Sequence, residues 1–335
     1  MYLSQKGRFK IMIKRELEII QTIPYVESDV SFYELIHKCN QFGISIFRFN
    51  LAKINSIKEF EVLTGKFQLL KNREPNSKII LDLPYPYKKI RLFHKNKRIH
   101  VTFGTLLEFN NDPSIKSDGY INVENLKDYF SIKKKYYYNE GIGEFLVEEL
   151  SDNKIKLRAL GEFDLFSSKA ITSNRLIYDD IHVDTYIKLI NDFKIDQIWF
   201  SFVDNLEMIE FFMKQIRCNS EVFLKIETQS GVNHLNEMLL SDYNIVVARG
   251  DLAMNVDVND FLEIQNTIIN HTKKTGKMVY VGTDILPSMS NRTIPTRAEL
   301  IDLLLLKQYG IHGIMLNVGL LYGRYYNKVI ELISR

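Results

Sequence analysis

Lys225 and Glu227 lie two residues apart in the run "VFLKIETQSG" (222–231), and Arg249 and Asp251 close the apolar start of "VVARGDLAM" (246–254). Alternate residues of a strand share a face, so Lys225 and Glu227 point to one side. A cation and a carboxylate at each of two apolar strand ends predict a shared polar site. Glu227 and Asp251 are hard oxygen ligands that suit Mg²⁺ (or Mn²⁺), an ion that keeps waters and takes substrate oxygens at its open positions. Lys225 and Arg48, the latter in "SIFRFN" (45–50), suit a phosphoryl group or carboxylate: Arg grips with a fork, Lys acts as a point charge. Gly250 lets the backbone approach a ligand and offer N–H donors. Asn50, Asp82 and Thr283 end three further apolar runs. A metal, two cations and a donor loop fit an anionic oxo-acid or phosphate. Structural ion pairs at strand ends would use the same residues, and residue type leaves both readings open.

These residues need elements to bring them together. Short apolar runs recur at 9–13, 45–50, 78–83, 197–203, 222–227, 244–248, 278–283 and 313–317, with amphipathic stretches between most of them. Fully apolar strands alternating with helices predict an α/β fold, a TIM (β/α)8 barrel whose polar residues converge at the C-terminal strand ends. "RYYNKVIELISR" at 324–335 supplies the eighth helix. Residues 92–180 break the rhythm with β-branched and alternating runs, which predicts a small all-β domain inserted after strand three as a lid. The expected division is therefore a catalytic barrel from 1–91 and 181–335, with the lid at 92–180. Within the lid, "SIKKKYYYNE" mixes lysines and tyrosines. It suits either a stacking surface for single-stranded nucleic acid or, as favoured here, a hairpin edge guarded by lysines.

Composition narrows the classes. A net charge of +3 over 335 residues calls for no polyanionic partner. Cys39 and Cys218 make neither a metal spacing nor a disulfide framework, which fits a reducing compartment. The first ten residues lack the apolar core of a signal peptide, and "LIDLLLL" is too short to span a bilayer. The expectation is a cytoplasmic protein with no nucleic-acid or membrane partner. The seven histidines have no ligand spacing and none falls at a predicted strand end. "PTRAE" predicts a helix start, with Thr296 as N-cap and Glu299 closing a capping box.

The same segments carry a family resemblance. "LKIET…GV" resembles the "KIEN…GV" segment of pyruvate kinases, and "VVARGDLAMNV" resembles their "MVARGDLGVE". "GTDILPSM" with "PTRAE" is similar to "ATQMLESM" with "PTRAE", "FRFN" to "ARLN", "LDLP…KIR" to "LDLPGPKIR", and "IWFSFV" to "IALSFV". The lid segment "GEFDLFSSKAI" resembles "GGELLSRKGV". The motifs run in order from about residue 9 to 326. The resemblance implies a phosphotransferase acting on phosphoenolpyruvate or pyruvate, with ADP or ATP as the other substrate. Lys225 would stabilise the phosphoryl group in transfer, and Glu227 and Asp251 would hold Mg²⁺. Arg48 would grip the phosphate, the Gly250 and Asp251 amides the carboxylate, and Thr283 would sit on the proton route. Asn50, Asp82, Lys89 and Arg91 fall on the monovalent-cation and nucleotide side. There the "KIR" alignment gives Lys89 the role of an ammonium standing in for K⁺.

The departures cluster on that nucleotide side. Ala52 and Lys53 replace a serine and a histidine, "YPYK" replaces a tight Gly-Pro turn with two extra residues, and Asp204 replaces an arginine. "MLNVGLL" lacks an acidic residue at Gly319, and the C-terminal effector domain of many members has no counterpart here. Three readings follow: a divergent pyruvate kinase-like phosphotransferase, a Mg²⁺-dependent lyase or aldolase on a 2-oxo acid, or a non-catalytic binding protein. Oligomeric state is left open.

Overall fold

The computed structural model describes residues 17–54, 56–178 and 182–335, with Lys53 by its backbone alone. Parallel strands β1 (Glu18–Ile23), β2 (Ile46–Asn50), β3 (Lys78–Lys88), β4 (Gln197–Ser201), β5 (Glu221–Ile226), β6 (Asn244–Ala248), β7 (Val279–Gly282) and β8 (Gly313–Leu316) close into a barrel. Closure is made by β1, which pairs with β8 on one side and β2 on the other. The expected α/β TIM barrel with an inserted all-β lid is thus the observed fold.

Seven of the expected strands match these elements closely. The first does not: the run at 9–13 lies outside the described residues, and the strand that closes the barrel is the next apolar run, "EIIQTI". Its burial explains why, since Ile19, Ile20 and Ile23 all sit in the core. Strand β3 is also longer than its apolar run and carries the chain past the barrel rim to Lys88.

Two apolar layers hold the barrel. Ile20, Ile46, Ile80, Trp199, Phe223, Val246 and Tyr280 pack together as one buried cluster inside it. A larger cluster fills the space between strands and helices. Fully buried side chains of this size contribute roughly 1.5–3 kcal/mol each, so the inner layer is a firm floor. The residue two places beyond an inward one points inward again. On five strands that residue is Thr22, Arg48, Asp82, Ser201 or Lys225, and a polar layer therefore stands on the apolar one. Arg48 touches both layers, with its guanidinium 5.9 Å from the centre of the Trp199 ring.

Helix ends fix the loops around this layer. Helix Arg297–Tyr309 starts at the expected capping box of Thr296 and Glu299 and ends at Gly310 with φ +66°. The Glu299 carboxylate also accepts from Ser288 N at 2.7 Å and Ser288 Oγ at 2.5 Å, which ties the turn after β7 to the helix. Burial would raise its pKa, but these Ser288 and Thr296 donors hold it below the usual carboxylate range.

Between β3 and β4 the chain builds a separate seven-stranded sheet around its own core, including Phe109, Tyr138 and Phe145. Its first strand, Arg91–Phe93, straddles the expected boundary at 91/92, and the boundary at 180/181 lies outside the described residues. Strand Lys135–Tyr138 is an edge strand. Tyr136 and Tyr138 are buried while Tyr137 faces out, so alternation takes two of the three tyrosines into the lid core. That leaves no row of exposed rings there, as expected for a lysine-guarded edge. Lid and barrel are joined where Tyr87 and Lys88 pair with Tyr178 and Ile177. Among the described residues, no helix is long and apolar enough to cross a membrane.

Candidate active site

The polar layer is a ladder of alternating charge. Arg48 Nε donates to Asp82 Oδ2 at 2.8 Å, a second guanidinium nitrogen reaches the same oxygen, and Nη1 donates to Thr22 Oγ1 at 2.9 Å. Lys225 Nζ lies 3.1 Å from Asp82 Oδ1 and 3.1 Å from Glu227 Oε1, and donates to Ser201 Oγ at 3.0 Å. The shared face expected of Lys225 and Glu227 is therefore realised. The Phe202 amide donates to Glu227 Oε2 at 2.6 Å, and Phe202 adopts φ +54°. A bulky residue in the left-handed region costs roughly 1–2 kcal/mol, and the bond to Glu227 helps to hold it there.

The ladder sets the protonation states. Burial alone would push the Asp82 carboxyl up, but the Lys225 and Arg48 charges outweigh it and hold it below its ordinary value. Burial would likewise lower Lys225, yet Asp82 and Glu227 keep its ammonium charged and its pKa raised. Glu227 goes the other way. Its burial is complete, Lys225 offsets only part of the cost, and Asp251 and Asp82 repel it, so its pKa is pushed up to about 7. The two partners of this ion pair are thus both raised. Lys225 faces two carboxylates, whereas Glu227 is left short of positive charge.

This shortage predicts a pH effect on folding. A carboxyl raised in the native state binds more protons folded than unfolded between its ordinary pKa and about 7, so stability falls as pH rises through that window. In chelator, the wild type should lose stability relative to Glu227→Gln between about pH 5 and pH 7.5, by roughly 1–3 kcal/mol. Urea denaturation at both pH values measures it. Parallel pH curves for the two proteins would refute the raised carboxyl.

The loop after β6 is built as a brace. Arg249 Nη1 donates to both Asp302 oxygens, at 2.7 and 2.9 Å, and Nη2 donates to Thr283 O at 2.8 Å. Arg249 thereby links helix Arg249–Asn255 to the turn after β7, where Thr283 and Asp284 take φ +73° and +53°. A Cβ placed on Gly250 would lie 2.7 Å from Thr283 Cγ2. Glycine is needed there because the backbone passes so close. Gly250→Ala should displace Thr283 and cost about 1–3 kcal/mol of stability, which urea denaturation measures. Unchanged stability would show that the turn after β7 yields to the added methyl without cost.

Asp251 stands beside Glu227 at the mouth, but its partner was not foreseen. Lys89 Nζ forms an ion pair with Asp251 Oδ1. It does not join Asp82, whose oxygens are taken by Arg48 and Lys225. Arg91 belongs to the lid, with Nη1 donating to Ser168 O at 2.8 Å, and burial lowers its pKa against the opposing pull of Asp251. Asn50 Oδ1 accepts from Ala52 N at 3.0 Å and caps the turn Leu51–Lys53.

The structure also supplies partners that the motifs did not single out. Thr22 was missed because its strand was misplaced, whereas Ser201 stood visible as the polar end of "QIWFS". Asn255 donates to both Glu227 O and Asp251 O, tying the end of β5 to helix Arg249–Asn255. A cavity of about 520 Å³ opens between lid and barrel beside Asp251, with Tyr87, Lys89, Glu140, Arg175 and Asp204 in its wall.

Comparison with known proteins agrees with this geometry. A family description, "Pyruvate kinase, barrel domain", matches residues 14–330. The pyruvate kinase of Pyrobaculum aerophilum is 28% identical over 304 residues, covering 86% of this chain and 64% of its own. That of Thermotoga maritima is 26% identical over 333 residues, covering 96% of this chain and 70% of its own. The chain thus spans about two thirds of the length of these relatives. The crystal structure of Cryptosporidium parvum pyruvate kinase shares the fold, with a TM-score of 0.80 over 96% of this chain and 70% of that one, at 24% identity. With the family match running through the barrel and its insert alike, this chain belongs to the pyruvate kinase family.

Proposed function

We propose that the chain is a Mg²⁺-dependent phosphotransferase of pyruvate kinase type, acting on phosphoenolpyruvate, pyruvate or a related 2-oxo acid. The observation that carries this reading is the Arg48–Asp82–Lys225–Glu227 ladder standing beside Asp251 under a lid. In the transfer, the bond between the enol oxygen and phosphorus breaks, a bond from a nucleotide phosphate oxygen to phosphorus forms, and the released enolate takes a proton at carbon. Lys225 and Arg48 supply fixed positive charge to the phosphoryl oxygens. The Gly250 and Asp251 amides hold the carboxylate, and Thr283 positions the proton donor.

The site fits a divalent cation. Glu227 is short of positive charge, and Asp251 lies near enough to raise its pKa further. Two carboxylates with waters and substrate oxygens are an ordinary Mg²⁺ donor set. Among the described residues, no group of three or more His, Cys, Asp or Glu forms a larger cage. When bound, Mg²⁺ or Mn²⁺ supplies Lewis acidity to the 2-oxo acid oxygens.

Glu140 and Asp204 in the cavity wall favour a second reading. Acidic residues repel a nucleotide phosphate, so a lyase on a 2-oxo acid, with no nucleotide, would use the same metal half. Activity with ADP is accordingly expected to be weak, with simple saturation. A coupled assay with phosphoenolpyruvate and a panel of nucleoside diphosphates tests it. Transfer to any of them supports the kinase reading. No transfer to any, despite Mn²⁺-dependent oxalate binding, favours the lyase or a non-catalytic binding protein. The division into a barrel at 1–91 and 181–335 with a lid at 92–180 is part of this proposal.

A further inference from the structure

The ion pair between Lys89 and Asp251 places an ammonium on a carboxylate proposed above to hold the divalent cation. Lys89 arrives there by the geometry of its segment. Strand β3 runs on to Lys88, and Tyr87 and Lys88 are fixed by pairing with Tyr178 and Ile177. Two residues later the Arg91 amide donates to Asn122 Oδ1 at 2.8 Å and its side chain to Ser168 O, both in the lid. Lys89 is therefore held between a barrel strand and a lid strand, with its side chain directed across the mouth. Both partners are mostly covered, at 25% and 21% side-chain exposure, so water screens their interaction only in part. Cations repel one another strongly at contact distance in such surroundings. An ammonium and a divalent ion on the one Asp251 carboxylate therefore weaken each other's hold.

We infer that Lys89 is the resident counter-ion of Asp251, and that a divalent cation competes with it for that carboxylate, so that Lys89 sets the metal affinity of the site. The inference rests on the proposed metal role of Glu227 and Asp251. It differs from the K⁺-substitute role expected of Lys89, because the carboxylate it meets is Asp251 and not Asp82.

Calorimetric titration of the chelator-stripped full chain with Mn²⁺ tests it, using Lys89→Met, Lys89→Gln, Arg175→Met and Asp251→Ala beside the wild type. Both Lys89 variants should bind Mn²⁺ about tenfold more tightly, while Arg175→Met, which removes a charge from the same cavity, should change affinity by no more than about threefold. Equal or weaker binding by the Lys89 variants overturns the inference. So does equal tightening in Arg175→Met, because net charge would then explain everything. Wild-type binding that Asp251→Ala abolishes, with the Lys89 variants unchanged, leaves the metal site standing and removes only this role for Lys89. No Mn²⁺ binding by any of the proteins overturns both.

Discussion

Lys225→Met is expected to lower phosphoryl transfer by about a thousandfold or more, the scale seen when a fixed charge on a transferring phosphoryl group is removed. The ammonium is the central member of the ladder, bonded to Asp82, Glu227 and Ser201. Its removal also leaves buried carboxylates with less compensation. Asp82 keeps Arg48, and Glu227 keeps the Phe202 amide, so Glu227 should relax by taking up a proton. The variant should be destabilised by about 3 kcal/mol at pH 8, and by less at pH 5.5, where protonation is easier. Lys225→Arg restores the charge but not the reach of a point ammonium, and should recover stability better than rate. Steady-state kinetics and urea denaturation at the two pH values measure both effects. Native turnover in Lys225→Met would end the phosphoryl-transfer role.

Asp251→Ala carries the second large effect, on binding. Oxalate presents two oxygens as the enolate of pyruvate does, and its affinity should depend on Mn²⁺ in the wild type. The variant should lose that dependence, with affinity in Mn²⁺ falling at least about a hundredfold, since even partners of metal ligands cost 10–100-fold when removed. The fold should survive, because Asp251 is partly exposed and stands in the first turn of a seven-residue helix. Removing its charge also takes away one of the repulsions that raise Glu227, so the variant's apo stability should fall less steeply with pH. Calorimetry with oxalate, in Mn²⁺ and in chelator, measures the binding. Equal affinity in both media for the wild type would remove the metal from the site altogether.

Arg249 and Asp251 show how far residue type can be read. Neighbours in sequence, they part in space: Arg249 turns to Asp302 and the Thr283 carbonyl, and Asp251 turns to the mouth. The partner that makes Arg249 a brace, Asp302, lies more than fifty residues away on another helix. Helix starts were easier. The Thr296–Glu299 box is local chemistry, complete within four residues. Strand identity was intermediate. Parallel strands covered on both faces are apolar throughout, so seven announced themselves. The expected first run at 9–13 lies outside the described residues, and the barrel closes through Glu18–Ile23 by its register with β8 and β2.

The sequence by itself determined the alternation of apolar strands and helices, the inserted β-rich segment, and the placing of Arg48, Asp82, Lys225, Glu227 and Asp251 at strand ends. Those features rest on periodicity and on spacing within one element. Tertiary structure alone decided the first barrel strand, the Thr22 and Ser201 partners, the attachment of Lys89 to Asp251 and the raised carboxyl of Glu227. Each of these depends on distance and burial among segments far apart in the chain, where Coulomb energy and desolvation act through space. Two added residues in "YPYKK" illustrate the limit. Their effect on the site is set by how β3 overruns the barrel rim and pairs with Ile177–Tyr178, which no local pattern encodes.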